Sequence, residues 1–321
     1  MYFKHFGLQK NPFLLNTSSG GVYYSAAHCE IIAQMLYAVR ECKGIVLLTG
    51  EAGTGKTTLL HTVLNLVRPT GAVASTILNP MMETAQELLT SVLGGFKVPV
   101  GQRPAMELAG VLFEFLADQA RHGRRAILVV DEAQQLSSRM LENLRLISNV
   151  ENNGERMIQL ILSAQPEIRQ VIASGQHAAL RQRIIARCSL KSLQPSELWN
   201  YLALRIAWAG SDGRMIFLPE AVDRLAAASS CTPRLINVLA DNCLIAAYAK
   251  GVETVDAALV SRVASDFELD GQSESYSAHL RAEGERTPES WKKLVGEYAN
   301  YELPEALRNF ASSLQFGQQM E

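Results

Sequence analysis

The sequence has no C-x-x-C pair, no H-E-x-x-H and no apolar run near the roughly 18 residues that a membrane-spanning helix needs. Its five cysteines, Cys29, Cys42, Cys188, Cys231 and Cys243, are odd in number and scattered. That pattern excludes a disulfide framework and a zinc site, and it leads to the expectation of reduced thiols in a cytoplasmic protein. No basic start followed by an apolar core marks the N-terminus, so no secretory signal is expected. Charge is also scarce: 19% of the 321 residues are charged, and the net charge is −2. This balance makes no whole-chain electrostatic case for nucleic acid or acidic membranes, although it leaves room for a basic stripe on one face. Hydrophobic residues at 48% exclude global disorder, and the length suits one large domain or two modest ones.

What is present centres on Gly44 to Leu60, GIVLLTGEAGTGKTTLL. An apolar run predicts a strand up to Gly50. A loop follows (Glu51, Ala52, Gly53, Thr54, Gly55), and Lys56, Thr57 and Thr58 open an apolar-periodic segment that predicts a helix to about Val67. The spacing G-x-x-x-x-G-K-T has a physical purpose. Glycines let the backbone curl so that successive N–H groups point at an anion, and the helix start adds its positive end. Lys56 is of a length to reach the β- and γ-phosphates of ATP, and the Thr57 hydroxyl suits Mg²⁺.

The acidic partner comes later. Ala126 to Val130 is a continuous apolar run, as a buried parallel strand requires, and it ends on Asp131-Glu132. Acids at the C-terminal end of such a strand lie where α/β sheets bind ligands. Asp131 is the candidate partner of Mg²⁺ and Glu132 the candidate that polarises the attacking water. A further strand, Met157 to Ser163, precedes Gln165-Pro166. Gln165, with Ser163 second, is the candidate polar contact to the γ-phosphate or the water. Leu180 to Leu193 holds Ile184 and Ile185, read as a fifth strand, among Arg181, Arg183 and Arg187. One of these, Arg183 before Arg181 and Arg187, is the candidate to enter a neighbouring subunit's nucleotide site.

From Gln194-Pro195 onward the pattern is helical only, with candidate helices over 198–209, 219–229, 232–250 and 255–267. Thr232-Pro233-Arg234 puts a cation in a helix's first turn, against the helix dipole, so a phosphate partner for Arg234 is expected. The expected domains are 1–193, an αβα nucleotide domain with an aromatic N-terminal arm; 194–268, a helical lid; and 269–321, a helical and partly flexible tail. The arm and the following Ser25 to His28 are candidates to close over the adenine, and the plainer alternative is a packing arm pinned on the domain surface.

The ordered set FGLQKNPF, TGEAGTGKTTLL, LVVDEAQQLS, LRLISNVE, AQPEI, LRQRI and PRLIN resembles the AAA+ ATPases related to general secretion pathway protein A, the ExeA-like group, from Tyr2 to about Phe267. The resemblance implies a parallel sheet of order 5-1-4-3-2 followed by a small helical lid. By position it implies phosphate and Mg²⁺ roles for Lys56 and Thr57, and Mg²⁺ and water roles for Asp131 and Glu132. It places Gln165 at sensor 1, Arg234 at sensor 2 and Arg183 or Arg181 at the arginine finger. Secretion members of the group carry a transmembrane helix and a periplasmic peptidoglycan-binding part, to which no stretch of this sequence corresponds. The resemblance implies an ATP-dependent homo-oligomer, ring or filament, that acts as a switch on a protein partner. The alternatives are a DNA-binding regulator of the TniB and TnsC type and a nucleotide-dependent scaffold that does not hydrolyse.

Overall fold

A computed structural model describes residues 2–14, 21–269, 286–314 and 316. The chain divides into two compact units. One comprises Ala26–Ala52, Lys56–Leu190 and Pro304–Glu321; the other comprises Met1–Ser25, Gly53–Gly55 and Lys191–Leu303.

The first unit is built on five parallel strands: β1 (Ile45–Gly50), β2 (Val73–Ile77), β3 (Ala126–Val130), β6 (Ile158–Ala164) and β7 (Ile184–Leu190). A two-stranded antiparallel ribbon, β4 (Glu151–Asn152) and β5 (Glu155–Arg156), precedes β6. The sheet order is β2-β3-β6-β1-β7, which is 5-1-4-3-2 once the ribbon is set aside, as the resemblance implies. Its helices are α1 (Ala26–Glu41), α2 (Lys56–Val67), α3 (Ala85–Gly95), α4 (Ala105–Arg121), α5 (Ser138–Ile147), α6 (Ile168–Ala173), α7 (Ala178–Arg183) and α13 (Glu305–Ser312).

Residues of β1, β3 and β6 are buried along their whole length, so these strands read as continuous apolar runs rather than alternating ones. Ile45, Leu47, Leu128, Val130, Leu160 and Leu162 share one core with α3, α4 and α5. Their alternates, such as Val46, Leu48 and Ile161, turn by the strand's period of two to the face bearing α1 and α2. The capping box at Thr84 and the Ser137 side chain, which accepts from Met140 N–H, fix where α3 and α5 begin.

The second unit is helical: α8 (Leu198–Trp208), α9 (Pro219–Ser229), α10 (Pro233–Lys250), α11 (Ala257–Asp266) and α12 (Pro288–Tyr298). Three of these begin with proline just inside the helix, where its missing N–H has no intrahelical partner to lose. The N-terminal arm, assigned to the nucleotide domain by sequence, belongs here. Phe6, Leu8 and Phe13 are buried in the helical core. The buried Arg205 of α8 donates to the carbonyls of Pro12 (2.6 Å), Leu14 (2.8 Å) and Gly21 (3.2 Å), and Tyr2 and Asn11 both donate to Asp241. The Arg205 bonds satisfy three carbonyls of the segment that would otherwise need another donor. The expected tail divides likewise. Trp291 of α12 is fully buried, packs edge-on against Trp199 at 4.8 Å and donates to Arg214 O, all within the helical unit. α13 packs on α1 and α2 in the sheet unit.

Candidate functional site

Gly50 closes β1 at its buried C-terminal end, and β3 ends two strands away on Asp131. Parallel strands bring both ends to the same edge of the sheet, so the phosphate loop and the acidic pair converge by topology. The Thr57 hydroxyl donates to Asp131 Oδ2 at 2.6 Å. Asp131 is buried; its Oδ1 accepts the Glu132 N–H at 3.0 Å, and its own N–H donates to Ile77 O at 2.9 Å. The buried Lys56 ammonium donates to Gly50 O at 2.8 Å and to Glu51 O at 3.1 Å. These short-range acceptors hold the cation over its own loop. A neutral carbonyl pair leaves its charge uncancelled, so an arriving phosphate would be favoured over them.

Glu51 and Ala52 are exposed at the start of the loop, Thr54 is buried and Thr58 half-buried. In the helical unit, Gly53 lies at φ +81°, and the Arg234 N–H donates to its carbonyl at 3.2 Å. A Cβ on Gly53 would stand 2.7 Å from the Cβ of Arg234. The Arg234 side chain itself is exposed.

A metal at this site would meet only oxygens, from Thr57 and Asp131. Among the described residues no cluster of three His, Cys, Asp or Glu side chains could cage one. One hydroxyl and one carboxylate suit Mg²⁺, which takes few protein ligands and fills its shell with water and substrate phosphate.

Glu132 adopts left-handed backbone (φ 54°, ψ 36°), at a cost of about 1–2 kcal/mol for a residue with a Cβ. Its carboxylate Oε2 accepts from Gln134 Nε2 at 2.6 Å, and Gln134 Oε1 accepts the backbone N–H of Gln165 at 3.1 Å. Gln134 is absent from the candidates the sequence offered. The segment DEAQ places it two residues past Glu132, but the strand end it bridges to lies 31 positions away and shows only in three dimensions. Gln165 sits half-buried just past β6, while Ser163 is fully buried within the strand, its hydroxyl without a partner.

The candidate arginines lie elsewhere. β1 and β7 run parallel from Ile45 beside Ile184 to Gly50 beside Leu190. Arg183 therefore sits a strand's length from Gly50, roughly 20 Å at about 3.3 Å per residue. Arg181 and Arg183 end α7, and Arg187 lies on β7. Arg181 and Arg187 share a cavity of about 320 Å³ with Arg169, and no carboxylate lines it. Neutral groups anchor two of these cations: Arg169 bonds the Thr49 and Ser189 hydroxyls, and Arg181 bonds Ala173 O at 2.8 Å.

His28 is in the third position of α1, where burial keeps it neutral and pushes its pKa down to about 4. Burial also pushes the thiols of Cys188, Cys231 and Cys243 up, to about 11, 12 and 12. All five cysteines are free, and among the described residues no helix is long and apolar enough to cross a membrane.

Comparison with known proteins agrees with this geometry. Residues 39–172 match the AAA domain family. The chain is 36% identical over 255 residues to general secretion pathway protein A of Aeromonas hydrophila, an alignment that covers 78% of this chain and 46% of that protein. The chain thus spans less than half the length of that relative. Among solved structures, the Aeropyrum pernix ORC2 protein (ADPNP-ADP complexes) superposes with a TM-score of 0.63 at 16% identity, covering 82% of this chain and 73% of its own. The Aeropyrum pernix ORC1 protein in complex with DNA superposes with a TM-score of 0.58 at 17% identity, covering 80% and 69%. At those identities the likeness speaks for the fold. Strand order and the phosphate loop beside Asp131 give this chain the AAA+ P-loop fold; residues 39–172 match the AAA domain family, and 78% of the chain is similar to general secretion pathway protein A.

Proposed function

We propose that the protein binds ATP with Mg²⁺ and hydrolyses it between copies of itself, using the cycle to switch a protein partner. The observation that carries the reading is the 2.6 Å bond between Thr57 and Asp131 beside a charge-uncancelled Lys56, with Glu132 next in sequence. Backbone N–H groups from Gly50 to Thr58 would cradle the phosphates, and Lys56 would exchange its loop carbonyls for β- and γ-oxygens. Mg²⁺, held by Thr57 and through Asp131, would supply charge neutralisation at the phosphates. Glu132 would orient water and take its proton, Gln165 would face the γ-phosphate, and Arg234, by the family resemblance, would report its presence.

The strand-length separation between Gly50 and Arg183 supports action in trans, because this cation is too far from its own loop to serve it. Stabilising charge in a neighbour's transition state is worth about 10³–10⁵ in rate. Duplex DNA is a second partner reading, favoured by the likeness to an ORC1 protein solved with DNA.

The test is ATP turnover against protein concentration, with and without duplex DNA at low salt, for wild type, Lys56→Ala, Glu132→Gln and Arg183→Ala. Turnover per subunit should rise with concentration. Lys56→Ala should lose binding, and the other two variants should keep binding but lose turnover. A concentration-independent rate together with an unchanged mass in ATP would overturn the shared-site model. If Arg181→Ala silences turnover and Arg183→Ala does not, the finger is Arg181. DNA that neither binds nor stimulates would count against the second reading.

A further inference from the structure

β3 and β6 are neighbours in the sheet, with Val130 beside Leu162, so residues 131–134 and 163–165 leave adjacent strands side by side. A short turn over Ala133–Gln135 follows Glu132 and lifts Gln134 across that gap. Its amide is used at both ends. Nε2 donates to Glu132 Oε2 at 2.6 Å, and Oε1 accepts from the Gln165 backbone at 3.1 Å. Which end is nitrogen is fixed by the partners, because an ionised carboxylate only accepts and a backbone N–H only donates. Among the natural side chains of this length, only glutamine offers a donor and an acceptor together.

Glu132 needs that hold. Its left-handed backbone sets the direction in which the side chain leaves, and among the described residues no other side-chain hydrogen bond orients the carboxylate. A carboxylate that swings freely spends little time aimed at one water, and misplacement by about 1 Å costs on the order of 10²-fold in rate.

We propose that Gln134 is a positioning residue for hydrolysis. It occupies Oε2 of Glu132, leaves Oε1 to face the attacking water, and ties that aim to the end of β6, where Gln165 begins. The inference rests on the hydrolytic reading of the site. It assigns Gln134 no contact with nucleotide. Any movement of the Gln165 backbone on γ-phosphate binding would reach Glu132 through this one amide.

Two variants separate positioning from packing. Gln134→Met keeps the length and loses both bonds. Gln134→Glu keeps the acceptor for the Gln165 N–H and loses the donor to Glu132. Turnover should fall about 10- to 100-fold in both, with KM and the dissociation constant of a fluorescent ATP analogue changed by less than about twofold. In a Glu132→Gln background, neither substitution should change the residual rate by more than about twofold, because the group it acts through is already gone.

Wild-type turnover in Gln134→Glu would overturn the proposal, since packing and the Gln165 bond would then suffice. So would an equal loss from Gln134→Met in the Glu132→Gln background, or a change confined to KM. The foundation is tested separately. If Glu132→Gln leaves turnover unchanged, the hydrolytic role of Glu132 fails and the proposal falls with it. If Glu132→Gln silences turnover and the Gln134 variants do not, only the Gln134 assignment fails.

Discussion

Gly53→Ala tests whether the tip of the phosphate loop is held in one shape. Gly53 and Gly154 both sit at φ +81°, so alanine at either pays the same left-handed backbone cost, about 1–2 kcal/mol. Their surroundings differ. A Cβ at Gly154 meets nothing within 4 Å, whereas one at Gly53 stands 2.7 Å from Arg234 Cβ and 3.2 Å from Thr232 Cγ2. Both of those neighbours lie close to the backbone, so relief requires the loop or the start of α10 to shift. The shift would stretch or break the 3.2 Å bond from the Arg234 N–H to Gly53 O, worth about 0.5–1.5 kcal/mol. The expected sum for Gly53→Ala is about 2–3 kcal/mol, or roughly 30- to 150-fold weaker nucleotide binding. Gly154→Ala should leave binding at the wild-type level. The assay is titration with a fluorescent ATP analogue, with circular dichroism to confirm that both variants fold. Equal binding by the two variants would refute the reasoning, because the contact with Arg234 would then play no part in holding the loop.

Three further outcomes follow from buried groups. His28 has its folded pKa lowered from 6.5 to about 4, so the unfolded chain binds the proton more readily. Its stability contribution is therefore intact above pH 6.5 and is lost as pH falls toward 4, by about 3 kcal/mol in total; urea titrations of His28→Leu should show a shallower acid slope than wild type over that window. Arg205→Met should release the N-terminal arm, because three carbonyls lose their donor; trypsin should then cut at Lys10 much faster, and an unchanged rate would show that the arm's buried side chains and its bonds to Asp241 hold it without Arg205. The thiols of Cys188, Cys231 and Cys243, raised to between about 11 and 12, should resist iodoacetamide at neutral pH until the protein is denatured.

The phosphate loop and the acidic strand were legible in sequence because their chemistry is local. Capturing phosphate takes consecutive N–H groups, and placing an acid at a strand end takes a few apolar residues before it. The sheet order came with the resemblance, and the strands that compose it stood out as apolar runs because both faces are covered. The arm was misplaced for the opposite reason. Nothing within residues 1–25 reveals that their carbonyls are claimed by Arg205, or that Tyr2 and Asn11 meet Asp241, some 230 positions away. Gln134 was missed on similar grounds, since its second partner enters only when β6 lies beside β3. Arg181 and Arg183 read as flanking a strand. They do precede β7, but they also close a short helix that the sequence reading did not include, and the neutral anchor of Arg181 could be seen only once α6 was in place.

The strand's length between Gly50 and Arg183 also governs how sites are counted. Each copy would present a loop at one edge of its sheet and an arginine at the other, so an open row of n copies completes n−1 sites, and a closed ring completes n. In the row, one terminal copy would always hold nucleotide it cannot turn over. Such a copy would mark the growing or shrinking end by its bound state alone, and each Arg183→Ala chain mixed in would silence one neighbour's site, so turnover would fall in proportion to the fraction of variant chains in row and ring alike.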